Sequence, residues 1–427
     1  MTFRAAWPAR INRWRDQAIL TLVLAGAFAM PLVFRRDPSG MFRLAKTILL
    51  RSEAILIVAV TLAAILLGAS LPQLKWRETW LLLPIGVLAI VAMITMTSTN
   101  RELSSSALAS ALATAIIFFA TVAAARTGGW KLVVAPLAAA VMNALLLIVE
   151  ETNLWMPFGV QAGIKHHLQC NALIGNPNEL GGYLGIATLA AIALLDRRFR
   201  SIAIVAILGI ALLVSQTLTA IVAFGVAAVS MMALSSWKHA IRAVVIGAAT
   251  ALLLVTLIAP FRLRATHLVA WARAGNYNEV MTERFTPFVA AWTMFADHPL
   301  TGVGPGAFAW QYYDHKIRAE QRYPSLRNVY NRGVNYGEVH NDHLQALAEG
   351  GVIGYGALVA LIAALGWQSF TIPRDAIDSR QRLARQLALP LAIFFAVFSF
   401  AQFPMETTVV RSLLVHFAAL CVGWRNA

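Results

Sequence analysis

The sequence predicts an all-α polytopic membrane protein with about twelve transmembrane helices and one large outward loop containing interfacial helices. Three observations predict it. Of 427 residues, 59% are hydrophobic and only 13% charged, too few polar side chains to clothe a water-soluble protein of this length. Apolar runs long enough to cross a ~30 Å hydrocarbon core recur along most of the chain. A polar segment, 261–349, interrupts them, rich in Arg and His and ending in Glu349-Gly350-Gly351.

The first run, near 18–34, follows Arg4, Arg10, Arg13 and Arg15 and lacks a small-residue cleavage site. It therefore reads as a retained helix rather than a removed signal peptide. Runs near 53–71, 80–97, 106–125 and 132–149 come next, and an outward segment, 150–179, separates them from runs near 180–195, 201–215, 217–234 and 243–260. After 261–349 the chain re-enters near 350–368, 386–403 and 408–424. The expected organisation is thus 1–260 with the first nine spans, 261–349 as a periplasmic catalytic loop, and 350–427 with the last three.

Short-loop cations set the orientation, because Lys and Arg are retained in the cytoplasm while long loops translocate regardless of charge. Alternate connections carry Lys75 and Arg77, Arg126 and Lys131, Arg197, Arg198 and Arg200, Lys238 and Arg242, Arg374 to Arg385, and Arg425. Both termini are expected to be cytoplasmic, with 261–349 outside. The first outward connection breaks this pattern with Arg35, Arg36, Arg43, Lys46 and Arg51. Those cations read either as snorkelling anchors or as a basic cluster for lipid or glycolipid phosphates.

The net charge of +15 is explained by these scattered loop cations, so no nucleic-acid partner is expected. Cys170 lies in an outward segment and Cys421 in the last helix, so neither a disulfide nor a cysteine metal site is expected. No repeat at a fixed period is present, which argues against a transporter built from duplicated bundles. A lipid-linked oligosaccharide transporter would also place charges in mid-span, where Arg411 and His416 are the exceptions here.

Within 261–349, Phe285, Phe288, Val289, Trp292 and Phe295 recur at helical spacing over Thr282 to Ala296, the pattern of an interfacial amphipathic helix. Asp297-His298-Pro299-Leu300-Thr301-Gly302-Val303-Gly304-Pro305-Gly306 is too rich in Gly and Pro for helix and reads as a turn. Trp310, Tyr312, Tyr313 and Tyr323 suit the interfacial level. Asn341 or Asp342 is positioned to cap a helix leading into the tenth span, which leaves His340 at its start, exposed to the loop.

The sequence holds no phosphate loop, no Asp-x-Asp pair and no Gly-x-Ser-x-Gly elbow. His340 and His343, with Glu338 nearby, leave three readings open: a zinc pair short of a third ligand, a general base oriented by Glu338 or Asp342, or ordinary surface histidines. Arg262, Arg264, Arg273 and Arg284 are either helix anchors or the forked cations that bind phosphate bidentately. In the second outward segment, Lys165-His166-His167 precedes Gly175-Asn176-Pro177-Asn178-Glu179. That stretch reads equally as a polar pocket for sugar hydroxyls and as a helix start.

Taken together, Arg284 with its aromatic helix, His298-Pro299-Leu300-Thr301-Gly302-Val303-Gly304-Pro305-Gly306, His340-Asn341-Asp342-His343-Leu344-Gln345 and Glu349-Gly350-Gly351-Val352-Ile353-Gly354 resemble the signature of the O-antigen ligase and polymerase superfamily. Asn176-Pro177-Asn178-Glu179 and Ser215-Gln216-Thr217 also look like its motifs. The resemblance implies a GT-C-like, metal-independent membrane glycosyltransferase of the bacterial inner membrane, without a cofactor. The implied donor is a glycan on undecaprenyl diphosphate, and the implied acceptor is a sugar hydroxyl of lipid A–core in a ligase or the growing chain in a polymerase. It implies His340 as the base and Arg284 as a diphosphate-binding residue. Glu338, Asn341 and His343, with Asn176, Asn178 and Glu179, are the expected substrate contacts. Many relatives carry an Arg just after the Ser of the 215–218 turn, where this chain has Gln216. Arg262, Arg264 and Arg273 are the candidates to replace it. The size of the outward loop and the basic first connection favour ligase over polymerase, and a protein O-glycosylating enzyme would carry a larger C-terminal outward domain.

Overall fold

The structure, a computed structural model, describes residues 2–35, 42–71, 79–152, 154–156, 171–194, 199–257, 259–326, 336–373 and 378–425. Cys170 and Lys165-His166-His167 lie outside the described residues. Among those described, regular structure is helical and no strand occurs. In order, the helices are α1 (Thr2–Ala29), α2 (Arg43–Leu66), α3 (Thr79–Met96), α4 (Arg101–Gly128), α5 (Lys131–Glu151), α6 (Pro177–Ala193), α7 (Phe199–Val214) and α8 (Leu218–Ser235). Then come α9 (Trp237–Leu257), α10 (Ala259–Arg273), α11 (Tyr277–Val280), α12 (Phe285–Asp297), α13 (Phe308–Arg322), α14 (Asp342–Thr371), α15 (Ser379–Phe398) and α16 (Thr408–Trp424). Helix fits these segments because a bilayer offers no water to satisfy backbone polar groups, so each span must pair them internally.

Each apolar run read from the sequence overlaps a helix, although α1, α2 and α15 end before residues 34, 71 and 403. Among the described residues, six are long and apolar enough to cross a membrane: α2, α4, α5, α8, α14 and α15. Shorter apolar helices run through Leu81–Met96, Ser201–Val214 and Thr408–Trp424. The result is an all-helical chain with the character of a polytopic membrane protein. Helix starts are chemically marked: Asn100, Asn176, Asn341 and Asp378 each accept a backbone N–H from the first turn that follows, filling donors a helix leaves unpaired.

Helix α6 is the axis on which the site hangs. Residues 179–191 are all buried, because glycines let neighbouring helices approach closely. A Cβ on Gly182 would lie 2.6 Å from the Phe398 ring, and one on Gly185 2.5 Å from Phe394, so α15 fits directly against this face. The same core joins α1, α2, α4, α5, α7, α8 and α16. On α9, by contrast, Val244, Val245, Ile246, Leu252, Leu253 and Leu257 are exposed, as lipid-facing side chains are.

The 261–349 segment is largely helical, carrying most of α10 and all of α11, α12 and α13. Helix α12 packs inward through Thr286, Pro287, Ala290, Ala291 and Met294, against Val303, Phe308, Tyr312, Val339 and Ala348. Of the aromatic stripe seen in the sequence, Trp292 is 53% exposed, whereas Phe288 packs on this inward cluster and Phe285 meets Tyr277 and Tyr323. Trp310, Tyr313 and Tyr323 are likewise exposed, whereas Tyr312, expected at the interface, is fully buried. Its ring packs on Phe308 and Tyr336, because α13 turns that face towards α12.

The glycine-rich turn is a latch between α14 and the α3–α4 connection. Val303 N donates to Ala348 O (2.9 Å) and Gly304 N to Glu349 O (3.0 Å), while the Glu349 carboxylate accepts Gly306 N (2.8 Å) and Phe308 N (3.1 Å). Across the other side, Thr99 and Ser104 donate to Val303 O and Pro305 O. Gly351 breaks α14 with φ 59° and ψ −160°, and a Cβ there would sit 2.3 Å from Leu300 C. At Gly302 (φ 65°) a Cβ would meet Glu349 C at 2.3 Å and Gly350 N at 2.5 Å. Gly302→Ala therefore combines a left-handed penalty of ~1–2 kcal/mol with a backbone clash. It is expected to lower the melting temperature of the purified chain clearly, and an unchanged value would mean that the latch tolerates separation.

Candidate active site

Five segments converge at one end of the helices: the start of α2, the start of α6, the turn before α12, residues 336–343, and the 399–407 connection between α15 and α16. The last two are stitched together. Asn341 caps α14 through Leu344 N (3.0 Å) and donates Nδ2 to Phe400 O (2.9 Å). Asp342 N donates to Ser399 O (3.0 Å), and its carboxylate accepts Met405 N (2.9 Å) and Ser399 Oγ (3.4 Å). These bonds hold His340 against Phe403.

His340 is half-buried rather than exposed to the loop. Its φ of 60°, a conformation β-carbon sterics disfavour, turns the ring inward. The imidazole meets Phe403 edge-on at 4.6 Å and Tyr336 at 5.9 Å. Tyr336 contacts Tyr312, and Tyr312 contacts Phe308, so an aromatic row runs from α13 to the histidine. Among the described residues, buried His340 Nδ1 has no hydrogen-bond partner. Burial, followed by the Arg284 and Arg43 charges, lowers its pKa to about 4, because a cationic imidazole loses water and meets like charge there. At neutral pH the imidazole is therefore uncharged, with its Nδ1 enclosed and unpartnered among the described residues.

Neither carboxylate expected to orient this ring does so. Glu338 Oε1 accepts from Arg43 Nη1 (2.5 Å), and Asp342 is committed to the 399–407 connection. Rings, not a carboxylate, position the imidazole. His343 faces elsewhere: its Nε2 donates to Ala396 O (3.0 Å) and its ring lies 4.4 Å from Phe400. The two histidines thus belong to different environments. No group of three or more His, Cys, Asp or Glu among the described residues could hold a metal ion.

Arg284 precedes α12 in a turn where Thr282 and Glu283 also have positive φ (52° and 64°). Tyr336 OH donates to Glu283 O (3.1 Å), and Arg284 Nη1 donates to Ala401 O (2.7 Å). These contacts bring the guanidinium to the imidazole. Burial lowers the Arg284 pKa, and Tyr336 opposes that shift, but a guanidinium stays charged.

Asn176 is a helix cap, accepting Asn178 N (2.8 Å) and Glu179 N (3.4 Å), with Pro177 at the first helical position. Asn178 is half-buried beside it. Of this turn it is Glu179 that joins the site: Arg43 Nε (2.9 Å) and Nη2 (2.8 Å) both face its Oε1. The Ser215-Gln216-Thr217 turn buttresses the cap, since Thr217 Oγ1 donates to Pro177 O (2.9 Å), while Gln216 is exposed. Arg262, Arg264 and Arg273 lie exposed on α10, which packs mainly on α9 and α11. The structure does not bring them to His340.

Tyr336 and Phe403 are site residues that the sequence did not single out, and Arg43 entered only as one of five cations read as anchors or phosphate binders. Arg43 carried one signal, its place in a basic outward connection that defied the charge rule, whereas Phe403 carried none. Behind the 399–407 connection, a cavity of about 440 Å³ runs between α3, α4, α14 and α16. Leu88, Val91, Leu361 and Leu365 are among its apolar walls, and Glu349, Glu406 and Arg411 among its polar lining.

Residues 203–359 match the family model described as O-antigen ligase. The match spans Arg284, Tyr336, Glu338 and His340 but stops short of Arg43, Glu179 and Phe403. No curated protein matches the chain.

Proposed function

We propose, from the place in the O-antigen ligase superfamily that this match supports, that the chain is an inverting glycosyltransferase. It transfers O-antigen glycan from undecaprenyl diphosphate to a sugar hydroxyl of lipid A–core. One observation carries the reading: a neutral imidazole, its Nδ1 unpartnered among the described residues, feels the charge of the Arg284 guanidinium within the matched region. Twelve spans in a GT-C-like arrangement, cytoplasmic termini and an outward-facing site in the bacterial inner membrane complete it.

In the reaction, the acceptor oxygen attacks the anomeric carbon from the face opposite the diphosphate. The new C–O bond forms as the bond from the anomeric carbon to the phosphate oxygen breaks, and that electron pair leaves on the diphosphate. His340 takes the acceptor's proton, a contribution of about 10²–10⁴-fold for a positioned base. Arg284 stabilises the charge that grows on the leaving group, in a partly desolvated site where preorganised cations act strongly. The cavity beside the 399–407 connection has the apolar lining that a lipid-linked substrate requires.

The test uses purified full-length chain, undecaprenyl-diphosphate glycan and lipid A–core, with products resolved on a gel. Glycan on the core supports the ligase reading. Lengthened carrier-linked chains would replace it with a polymerase, and no transfer of either kind would overturn the proposal. Activity is also expected to survive EDTA, since base and cations come from the chain itself. Loss in chelator with recovery on zinc would refute that expectation.

A further inference from the structure

Three cations at the start of α2 have different fates. Lys46 Nζ donates to the carbonyl oxygens of Val33 (3.1 Å), Phe42 (3.4 Å) and Leu173 (2.9 Å). Arg51 donates to Ser106 and Ser110 on α4. Lys46 thus gathers backbone carbonyls of the connections around the start of α2, and Arg51 ties α2 to α4. Arg43 instead reaches the ring beside the imidazole: its Cζ lies 5.2 Å from the centroid of the Phe403 ring, against which His340 packs.

We propose that Arg43 is a second guanidinium gripping the donor's diphosphate, and that Glu338 is the carboxylate it releases to do so. The inference rests on the glycosyl-transfer reading above. Arg43 is 44% exposed although two carboxylates hold it. A guanidinium carries five N–H donors in a planar fork, so donors remain after those contacts. With Arg284 in the turn before α12, the chain offers two forked cations, the type of group that binds two linked phosphates.

The two carboxylates are not equivalent. Glu179 is 5% exposed, sits in the first turn of α6 and faces two Arg43 nitrogens. Glu338 is 24% exposed, lies outside regular structure and, among the described residues, pairs with Arg43 through one nitrogen. An incoming polyanion would be repelled by both, and Glu338 is the one free to withdraw. A phosphate oxygen then takes its place at Nη1, while Glu179 keeps the guanidinium aimed. Without donor, the Glu338 pair keeps the cation neutralised; with donor, its release loosens the segment leading to His340.

The experiment measures binding of undecaprenyl diphosphate, and of undecaprenyl phosphate for comparison, to the full chain in lipid nanodiscs. Arg43→Lys keeps the charge that pairs with Glu179 but loses the fork, and should weaken diphosphate binding about tenfold or more, with a smaller loss for the monophosphate. Glu338→Gln should tighten diphosphate binding several-fold, which a purely structural ion pair would not do. Wild-type affinity in Arg43→Lys, or weakened binding in Glu338→Gln, overturns the inference alone. Absence of diphosphate binding by the wild-type chain overturns both it and the glycosyl-transfer reading.

Discussion

Replacing His340 with alanine is expected to lower glycan transfer by about 10²–10⁴-fold, the contribution of a positioned general base, while the chain still folds and inserts. The fold should persist because the backbone around position 340 is held by Asn341 and Asp342, whose bonds to Phe400, Ser399 and Met405 do not involve the imidazole. Binding of undecaprenyl diphosphate should also survive, since the imidazole is uncharged at neutral pH. Full turnover in His340→Ala membranes would remove the base assignment. The pH profile gives a second check. A base must be deprotonated to act, and its pKa in the free protein is lowered to about 4. The acid limb of kcat/KM should therefore fall near that value, with a plateau through neutrality. Bound diphosphate puts negative charge beside the ring and favours imidazolium, so the limb of kcat should lie at higher pH. An acid limb of kcat/KM at the ordinary histidine value of ~6.5 would mean that a solvated group is titrating instead.

Arg284→Lys is expected to reduce turnover by roughly 10²-fold, comparable to the loss of a preorganised transition-state donor. The guanidinium donates one N–H to Ala401 O while offering others to substrate. An ammonium on a flexible stem cannot do both at once with fixed direction. Because the charge persists, the loss should appear mainly in kcat, where charge develops on the leaving group, and less in KM. A helix anchor would behave differently, with a lower melting temperature and unchanged kinetics. Arg284→Lys with wild-type turnover would reduce Arg284 to that role.

Some of the site was readable from local chemistry. Asn176-Pro177 and Asn341 announce helix starts through residue types that satisfy unpaired N–H groups, and both starts occur. For His340 and Arg284 local chemistry left several readings open, and their roles as base and diphosphate cation came from the family resemblance. The candidates for a second cation were chosen by nearness to a span end, and α10 instead exposes Arg262, Arg264 and Arg273. The expected carboxylate partner of His340 also failed to form, because Glu338 meets the stronger attraction of a guanidinium.

By itself, the sequence determined the helical, membrane-embedded character of the chain, the polar excursion at 261–349, the capped starts of α6 and α14, and the residue types available for chemistry. These follow from composition and from interactions a few residues long. Only tertiary structure decided which polar groups meet. Arg43 joins Glu179 and Glu338 across 136 and 295 residues of chain, and His340 and His343, three residues apart, part to different environments. Such pairings depend on how closely helices pack, through contacts such as Gly182 against Phe398 and the Gly302 latch. They also depend on the cost of leaving a buried polar group unpaired, and neither quantity is local to a stretch of sequence.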